Sequence, residues 1–168
     1  SIKKTLSASN DLTNRVQKFV DCRSRDVSVR ELFIVEGDSA LGACKQARDS
    51  EFQALIPVRG KILNCLKSEY DKIFKSEIIV DLIRVLGCGV EVKSKHVKDK
   101  NMVTFNLDNL RWNKIIICTD ADVDGYQIRT LILTMLYRLT PSLISAGKVF
   151  IAESPLYEIT SGDQTWFE

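Results

Sequence analysis

IIICTDADVDG, residues Ile115–Gly125, joins an apolar run to three regularly spaced acids. Ile115–Cys118 is apolar on both faces, as in a buried strand of a parallel sheet. In an extended chain, residues two apart point to the same side, so Asp120, Asp122 and Asp124 are predicted to aim two or three carboxylates at one spot. Carboxylates that close repel one another unless they are protonated, solvated or neutralised, and Mg²⁺ suits such oxygen donors.

A helical pattern follows these acids. Gly125 is predicted to allow a tight turn, and Ile128–Leu139 is predicted to be helical. Acids at the carboxyl end of a parallel strand, just before a helix, occupy the usual ligand position of an open α/β sheet.

Two other motifs share this acid spacing, and neither fits the rest of the chain. A calcium loop D-x-D-x-D-G needs an acid at its twelfth position, where this chain has Leu131, and it should follow a helix rather than a strand. The motif also resembles the nucleophile motif of haloacid dehalogenase-like phosphatases. Those enzymes place it early in the chain, whereas only residues 125–168 follow here.

Bulk composition indicates an ordinary soluble domain. The 168 residues suffice for one core, and 45% hydrophobic with 27% charged residues is typical of globular proteins. No apolar run is long enough for a membrane span, so no membrane association is predicted. The five cysteines include no CxxC pair, which favours neither zinc nor disulfides and predicts the reduced cytoplasm. Cys44 and Cys118 lie in apolar patterns and are predicted to be buried.

The order of predicted elements alternates between strands and helices, which indicates an α/β fold with a central, mostly parallel sheet flanked by helices. The predicted strands are Glu31–Glu36, Gln53–Val58, 115–119, Lys148–Ala152 and Leu156–Thr160. The predicted helices are Ala40–Arg48, Lys67–Leu86 in one piece or broken near Lys75, Ile128–Leu139 and a short one at Pro141. Residues 1–30 are predicted to be a lead-in loop and one helix, with apolar positions at Leu12, Val16, Phe19 and Val20.

A second acidic motif, ELFIVEGDSA over Glu31–Ala40, repeats the plan of a strand, an acid, a glycine and a helix start. If its strand neighbours the first one, Glu36 lies level with Asp120 and Asp122. Taken alone, Glu36 is equally explained as an acid favoured by a helix N-terminus.

One glutamate and a D-x-D pair on adjacent parallel strands resemble the Toprim domain of topoisomerases and primases. The resemblance is strongest to the B subunits of bacterial type II topoisomerases, which comprise gyrase and topoisomerase IV, and it covers roughly residues 20–160. It is carried, in order, by EGDSA (36–40), PVRGKILN (57–64), LGCG (86–89), TDADVDG (119–125), IRTLILT (128–134) and SPLY (154–157). The chain departs from the family at Tyr126-Gln127, where Ser-His is usual, and at Leu41, where Gly is usual.

This resemblance implies a Toprim (Rossmann-like) domain over residues 31–160, followed by the end of a fragment at 161–168. It implies that Glu36 is the general acid/base serving the 3′-oxygen of cleaved DNA, and that Arg59 and Lys61 contact DNA phosphates. The Mg²⁺ ligands that it implies are Glu36, Asp120, Asp122 and Asp124.

The implied function is DNA cleavage and religation within an ATP-dependent type II topoisomerase, with double-stranded DNA as substrate. The attacking tyrosine would come from a partner A subunit. Two B subunits would pair within an A2B2 enzyme, and ATP would be used by a domain absent from this chain. A Toprim nuclease or primase and a catalytically silent DNA-binding module are the alternatives. The basic stretch 93–100 is either a solvated loop or a phosphate contact. Asp38 is predicted to cap the helix that follows Glu36, and the alternative is a polar residue on the side that faces DNA.

Overall fold

Four parallel strands form the sheet in the computed structural model, which describes residues 16, 18–58, 68–91 and 104–153. The strands are β1 (Glu31–Glu36), β2 (Gln53–Val58), β3 (Lys114–Thr119) and β4 (Val149–Glu153), in the order β2-β1-β3-β4. The helices are α1 (Gly37–Ala47), α2 (Tyr70–Ile73), α3 (Glu77–Leu86), α4 (Val123–Leu139) and α5 (Pro141–Ser145). The predicted α/β class and the parallel sheet are confirmed.

The two faces of the sheet are covered differently. Parallel register pairs Leu32 with Ile115 and Ile34 with Ile117, so these residues share one face. That face belongs to the main core, together with apolar side chains of α3, α4 and α5. Cys118 pairs with Val35 and lies on the opposite face, on the side of α1, which has no fully buried residue of its own.

Strand order creates a switch point between β1 and β3. The chain runs from β1 through α1 to β2 on one side, and later continues from β3 through α4 and α5 to β4 on the other. Ligands of open α/β sheets bind where the strand order reverses, outside the carboxyl ends of the strands. The carboxyl ends of β1 and β3 carry both acidic motifs to this point.

Edge position explains a proline within a strand. Pro57 lies in β2, which is one of the two outer strands, and an edge strand tolerates a missing N–H. The backbone of Val20 pairs antiparallel with Leu55, with two N–H···O bonds of 2.8 Å. The predicted lead-in helix is therefore wrong at residues 18–20, since Val20 bonds to the sheet and Lys18 has a positive φ of 62°.

The connection between α3 and β3 is anchored by buried polar groups. Trp112 is buried and donates its Nε1–H to the Val85 carbonyl at 2.7 Å. Arg30 is also buried, lies 4.3 Å from the Trp112 ring centroid and pairs with Asp21 at 2.9 Å. These bonds fix the entry into β1 and β3 because a buried guanidinium must be paired to be tolerated.

Helix boundaries differ from the predictions at the acidic motifs. α1 begins at Gly37 rather than Ala40, and α4 begins at Val123 rather than Ile128. The predicted break near Lys75 is confirmed by the separate helices α2 and α3. The predicted strand Leu156–Thr160 lies outside the described residues. Among the helices that the structure describes, none combines the length and apolarity needed to cross a membrane.

Candidate functional site

Glu36 lies at the boundary between a strand and a helix. It is the last residue of β1 and occupies the N-cap position of α1, but its side chain makes no capping bond. Gly37 follows with φ of 76°, a conformation that glycine adopts without strain. A Cβ on Gly37 would contact nothing within 4 Å, so glycine is favoured here by its positive φ and not by lack of space.

Asp38 does not cap the helix as predicted. Its carboxylate forms an exposed ion pair with the Lys18 ammonium at 2.8 Å. The helix already begins at Gly37, so Asp38 lies in the first turn, where the helix dipole favours an acid.

The three aspartates take three different backbone positions. Asp120 directly follows β3, and its N–H points to Glu36 Oε2 at 3.4 Å. Asp122 is the N-cap of α4 and accepts a 2.7 Å bond from the Gly125 N–H, whereas Asp124 lies in the first helical turn. We predicted that the three aspartate side chains point to the same side of an extended chain. This prediction fails after Asp120, because the chain turns into the helix instead of remaining extended.

Glycine is required at position 125 because the backbone of Asp120 lies very close to it. It lies inside α4, so the predicted tight turn at Gly125 is wrong. A Cβ there would overlap the Asp120 carbonyl oxygen and would lie 2.9 Å from its carbon and 3.0 Å from the Asp120 nitrogen. The absent side chain lets the start of α4 pack directly against the end of β3.

The aspartates of the TDADVDG motif change the proton affinity of Glu36 in the EGDSA motif. Partial burial raises the pKa of the Glu36 carboxyl, and the carboxylates of Asp120, Asp122 and Asp124 raise it further by repulsion. The Asp120 N–H counteracts both effects by bonding to the charged form. Glu36 is half-buried while the three aspartates are exposed. The structure thus brings the four predicted residues into one electrostatic environment.

These oxygens have the donor chemistry that Mg²⁺ prefers. Within the described ranges, however, no group of three or more His, Cys, Asp or Glu side chains is already arranged to hold a metal ion. The capping bond of Asp122 gives a physical reason, because it turns one oxygen towards the helix backbone. Coordination by all four residues stays a prediction.

The predicted DNA contacts and the departure from the family pattern lie in different parts of the chain. Arg59, Lys61 and the 93–100 stretch lie outside the described residues. Tyr126 and Gln127, the departure from the family pattern, line an open cavity of about 470 Å³ beside the acids. The Arg129 guanidinium lies 4.8 Å from the Tyr126 ring centroid. This position makes the departure a change in the surface next to the acids and not in the acids themselves.

Two further features near the acids were not predicted from the sequence. The hydroxyl of Thr119 is buried and, among the described residues, lacks a hydrogen-bond partner. Cys44 and Cys118 are half-buried rather than fully buried as predicted, and the interaction between these two thiols, on α1 and β3, lowers the pKa of Cys44. A polar residue ending an apolar strand was the available signal for Thr119, whereas the cysteine contact depends on tertiary packing.

Comparisons with known proteins agree with this geometry. Residues 31–154 match the Toprim domain family. The chain is 49% identical over 152 residues to the DNA gyrase B subunit of Rickettsia typhi, covering 90% of this chain and 18% of that protein. It is 48% identical over 145 residues to the DNA gyrase B subunit of Helicobacter pylori J99, covering 86% and 17%. The counterpart from Mycoplasma pneumoniae is 48% identical over 143 residues, covering 85% and 20%. The chain thus spans about a fifth of the length of these curated relatives. With its parallel sheet and its acids at the switch point, the chain belongs to the Toprim domain family.

Proposed function

We propose that this chain is the metal-binding DNA cleavage and religation domain of a type II topoisomerase B subunit. The observation that carries the proposal is the meeting of Glu36 with the aspartate motif at the carboxyl edge of β1 and β3. Near 48% identity to gyrase B subunits supports the choice of this activity over the primase and nuclease branches of the Toprim class.

Glu36 is proposed as the general acid/base. A carboxyl with a raised pKa exchanges its proton more readily near neutral pH, which suits transfer to and from the 3′-oxygen of a cleaved strand. Its half-buried position restricts competing water, and its contact with the Asp120 N–H orients one oxygen. Glu36 therefore has the position and the proton affinity that the role needs.

Asp120, Asp122 and Asp124 are proposed to hold Mg²⁺ together with Glu36. When bound, the cation would offset negative charge on the phosphate and the leaving oxygen during in-line displacement. The three exposed aspartates keep this edge open to a DNA phosphate, while Asp122 and Asp124 also lie at the N-terminus of α4. Arg59 and Lys61 are proposed to contact flanking phosphates.

The nucleophile is proposed to be a tyrosine of a partner A subunit. Among the tyrosines that the structure describes, Tyr126 lies nearest the acids along the sequence and 38% of it is exposed, but it lies in the same helix start as Asp124 and is stacked by Arg129. In-line attack needs the nucleophile opposite the leaving oxygen, and a residue beside the acids has little room for that. Pairing of B subunits in an A2B2 enzyme, ATP use by another domain and a cytoplasmic location complete the proposal.

The decisive test uses Glu36→Gln and Asp122→Asn in the whole enzyme assembled with its A subunit. Glu36→Gln is expected to lose DNA cleavage by at least about 100-fold, as general acid–base catalysis contributes that much. Asp122→Asn is expected to lose cleavage because a carboxylate ligand of the cation is removed, and ATP hydrolysis should stay near wild type in both variants. Glu31→Gln is the matched control, since Glu31 begins the same strand at the opposite edge and a glutamine can still accept the 3.0 Å bond from Gln53. Supercoiling or relaxation that persists in both variants refutes the assignment.

A second test separates this function from a nuclease. The purified chain is incubated with supercoiled DNA and Mg²⁺, then denatured and analysed for breaks. No cleavage is expected until the cognate A subunit is added. Breaks made by the chain alone would favour the nuclease alternative, and a covalent adduct lost in Tyr126→Phe would overturn the need for a partner tyrosine.

A further inference from the structure

Thr119 buries its hydroxyl directly beside the acidic edge. It is the last residue of β3, and its Oγ1 is buried with no hydrogen-bond partner in the part of the chain that the structure describes. Most buried hydroxyls in proteins are hydrogen-bonded, because burying an unpaired one lowers stability. An exception next to a functional site is explained when the function needs the group.

Parallel register places this hydroxyl next to Glu36. Ile34 of β1 pairs with Ile117 of β3, on the face of the sheet that belongs to the main core. Two residues further along each strand come Glu36 and Thr119, and strand residues two apart share a face. The two side chains are therefore neighbours on adjacent strands, which lie about 4.8 Å apart. A threonine hydroxyl and a glutamate carboxylate can bridge that gap when the glutamate side chain rotates.

The Glu36 carboxylate is held by one long hydrogen bond. From the described residues it accepts a bond from the Asp120 N–H alone, and that nitrogen lies 3.4 Å from Oε2. The usual range for such a bond is roughly 2.7–3.2 Å. A general acid/base has to be held in one orientation for proton transfer, and a second donor on the same face would supply this. The Thr119 hydroxyl is an unused donor at the neighbouring register position.

We propose that Thr119 is a positioning residue, whose hydroxyl donates a hydrogen bond to the Glu36 carboxylate and orients it when DNA is bound. This inference rests on the proposed function, because Thr119 acts through the proposed general acid/base. Two donors, the backbone N–H of Asp120 and the side chain of Thr119, then hold both carboxylate oxygens. The unpaired hydroxyl lowers the stability of the chain and finds its partner only in the working site.

Thr119→Val removes the hydroxyl and keeps the shape of the side chain. In the whole enzyme assembled with its A subunit, it is expected to slow single-turnover DNA cleavage by about 10-fold, the factor that one hydrogen bond to a charged group is worth. The affinity for DNA should stay unchanged. The melting temperature of the chain should rise, because an unpaired buried hydroxyl is removed. A variant that is more stable and cleaves more slowly separates positioning from structural damage.

Three further variants sharpen the test. Thr119→Ser keeps the hydroxyl and should cleave at a rate close to wild type. Thr119→Ala lacks it and should lose cleavage as Thr119→Val does, although it leaves a small cavity. When Thr119→Val is added to Glu36→Gln, no further loss is expected, because the hydroxyl acts through that carboxylate.

Thr140→Val is the matched control. Thr140 is also buried, but its hydroxyl donates to the Leu136 carbonyl at 3.2 Å. Its replacement by valine is expected to lower the melting temperature, because a bonded hydroxyl is lost, and to leave DNA cleavage unchanged.

The outcomes distinguish this inference from the proposed function. If Glu36→Gln loses cleavage but Thr119→Val cleaves like wild type, the positioning role is overturned and the proposed function stands. Cleavage that persists in Glu36→Gln overturns both. Equal losses in Thr119→Ser and Thr119→Val, losses that add to that of Glu36→Gln, or a lower melting temperature of Thr119→Val each overturn the positioning role.

Discussion

Replacing Gly125 by alanine probes the contact that joins α4 to the end of β3. Two opposing effects are expected. Alanine favours a helix over glycine by about 1 kcal/mol. Against this, the added Cβ would overlap the Asp120 carbonyl oxygen and press on the carbon and nitrogen of the same residue at 2.9 and 3.0 Å. All three atoms are backbone, so no side-chain rotation relieves the overlap.

These effects together give the expected change in the unfolding free energy of Gly125→Ala. Overpacking costs about 1–3 kcal/mol, and displacing the Gly125 N–H from the Asp122 carboxylate forfeits a cap worth about 1 kcal/mol. After the helix-propensity gain is subtracted, Gly125→Ala is expected to lose about 1–3 kcal/mol of unfolding free energy. Gly42→Ala is the matched control, because Gly42 lies within α1 and a Cβ there would contact nothing within 4 Å. It is expected to gain about 0.5–1 kcal/mol.

Urea unfolding of the two variants measures the difference directly. A separation of about 1.5–4 kcal/mol corresponds to midpoints about 0.8–2 M apart, for a urea dependence of about 2 kcal/mol per molar. Unchanged slopes are required, so that the shift reports stability and not a change in the unfolded chain. If Gly125→Ala unfolds at the same midpoint as Gly42→Ala or above it, the close approach of α4 to Asp120 is refuted.

Three further predictions concern single side chains. Asp122→Ala should lower the unfolding free energy by about 1 kcal/mol, whereas Asp122→Ser, which can still cap the Gly125 N–H, should recover most of it; equal losses in urea would exclude the cap. Because folding raises the pKa of Glu36, the folded state binds its proton more tightly, and stability falls as pH rises from the ordinary carboxyl pKa through the raised one. Glu36→Gln should therefore be more stable than wild type at pH 7 and lose that advantage in acid below the ordinary carboxyl pKa, and parallel pH profiles of melting temperature would contradict this. Alkylation of Cys44, followed by mass spectrometry, should reach its half-maximal rate at a lower pH in wild type than in Cys118→Ala, because the Cys118 thiol lowers the pKa of Cys44; identical profiles would exclude this interaction between the two thiols.

The sheet could be predicted from local pattern because β1, β2 and β3 are short apolar runs bounded by polar residues. Their parallel pairing follows from the helices between them, and the switch point follows from strand order. The start of α4 could not be predicted in the same way. Val123 is 69% exposed, so the first turn of the helix has no apolar stripe to mark it. At residues 18–20 the predicted lead-in helix was wrong for a different reason, since the backbone of Val20 bonds to Leu55 on the edge of β2.

Tertiary position also overrode local expectation at two tyrosines. Tyr137 lies in an apolar stretch of α4, yet 65% of its surface is exposed. Tyr70 has charged neighbours in the sequence, yet it is half-buried, stacks on Phe74 and lies under the Arg138 guanidinium at 4.5 Å. Neither contact is visible in periodicity, because both depend on which side of the helix meets its neighbours.

Concentrating four carboxylates at one edge of a sheet is made tolerable by the two helices that begin there. α1 begins directly after Glu36, and α4 begins directly after Asp122, so the positive ends of two helix dipoles and their free N–H groups face the acids. Asp122 uses this field directly by capping α4, and Asp124 lies within the first turn. Glu36 makes no capping bond and is the most enclosed of the four, so repulsion from the aspartates adds to the effect of burial and raises its pKa. The residue on which this arrangement concentrates proton affinity is therefore the one that the proposed reaction needs as its acid and base.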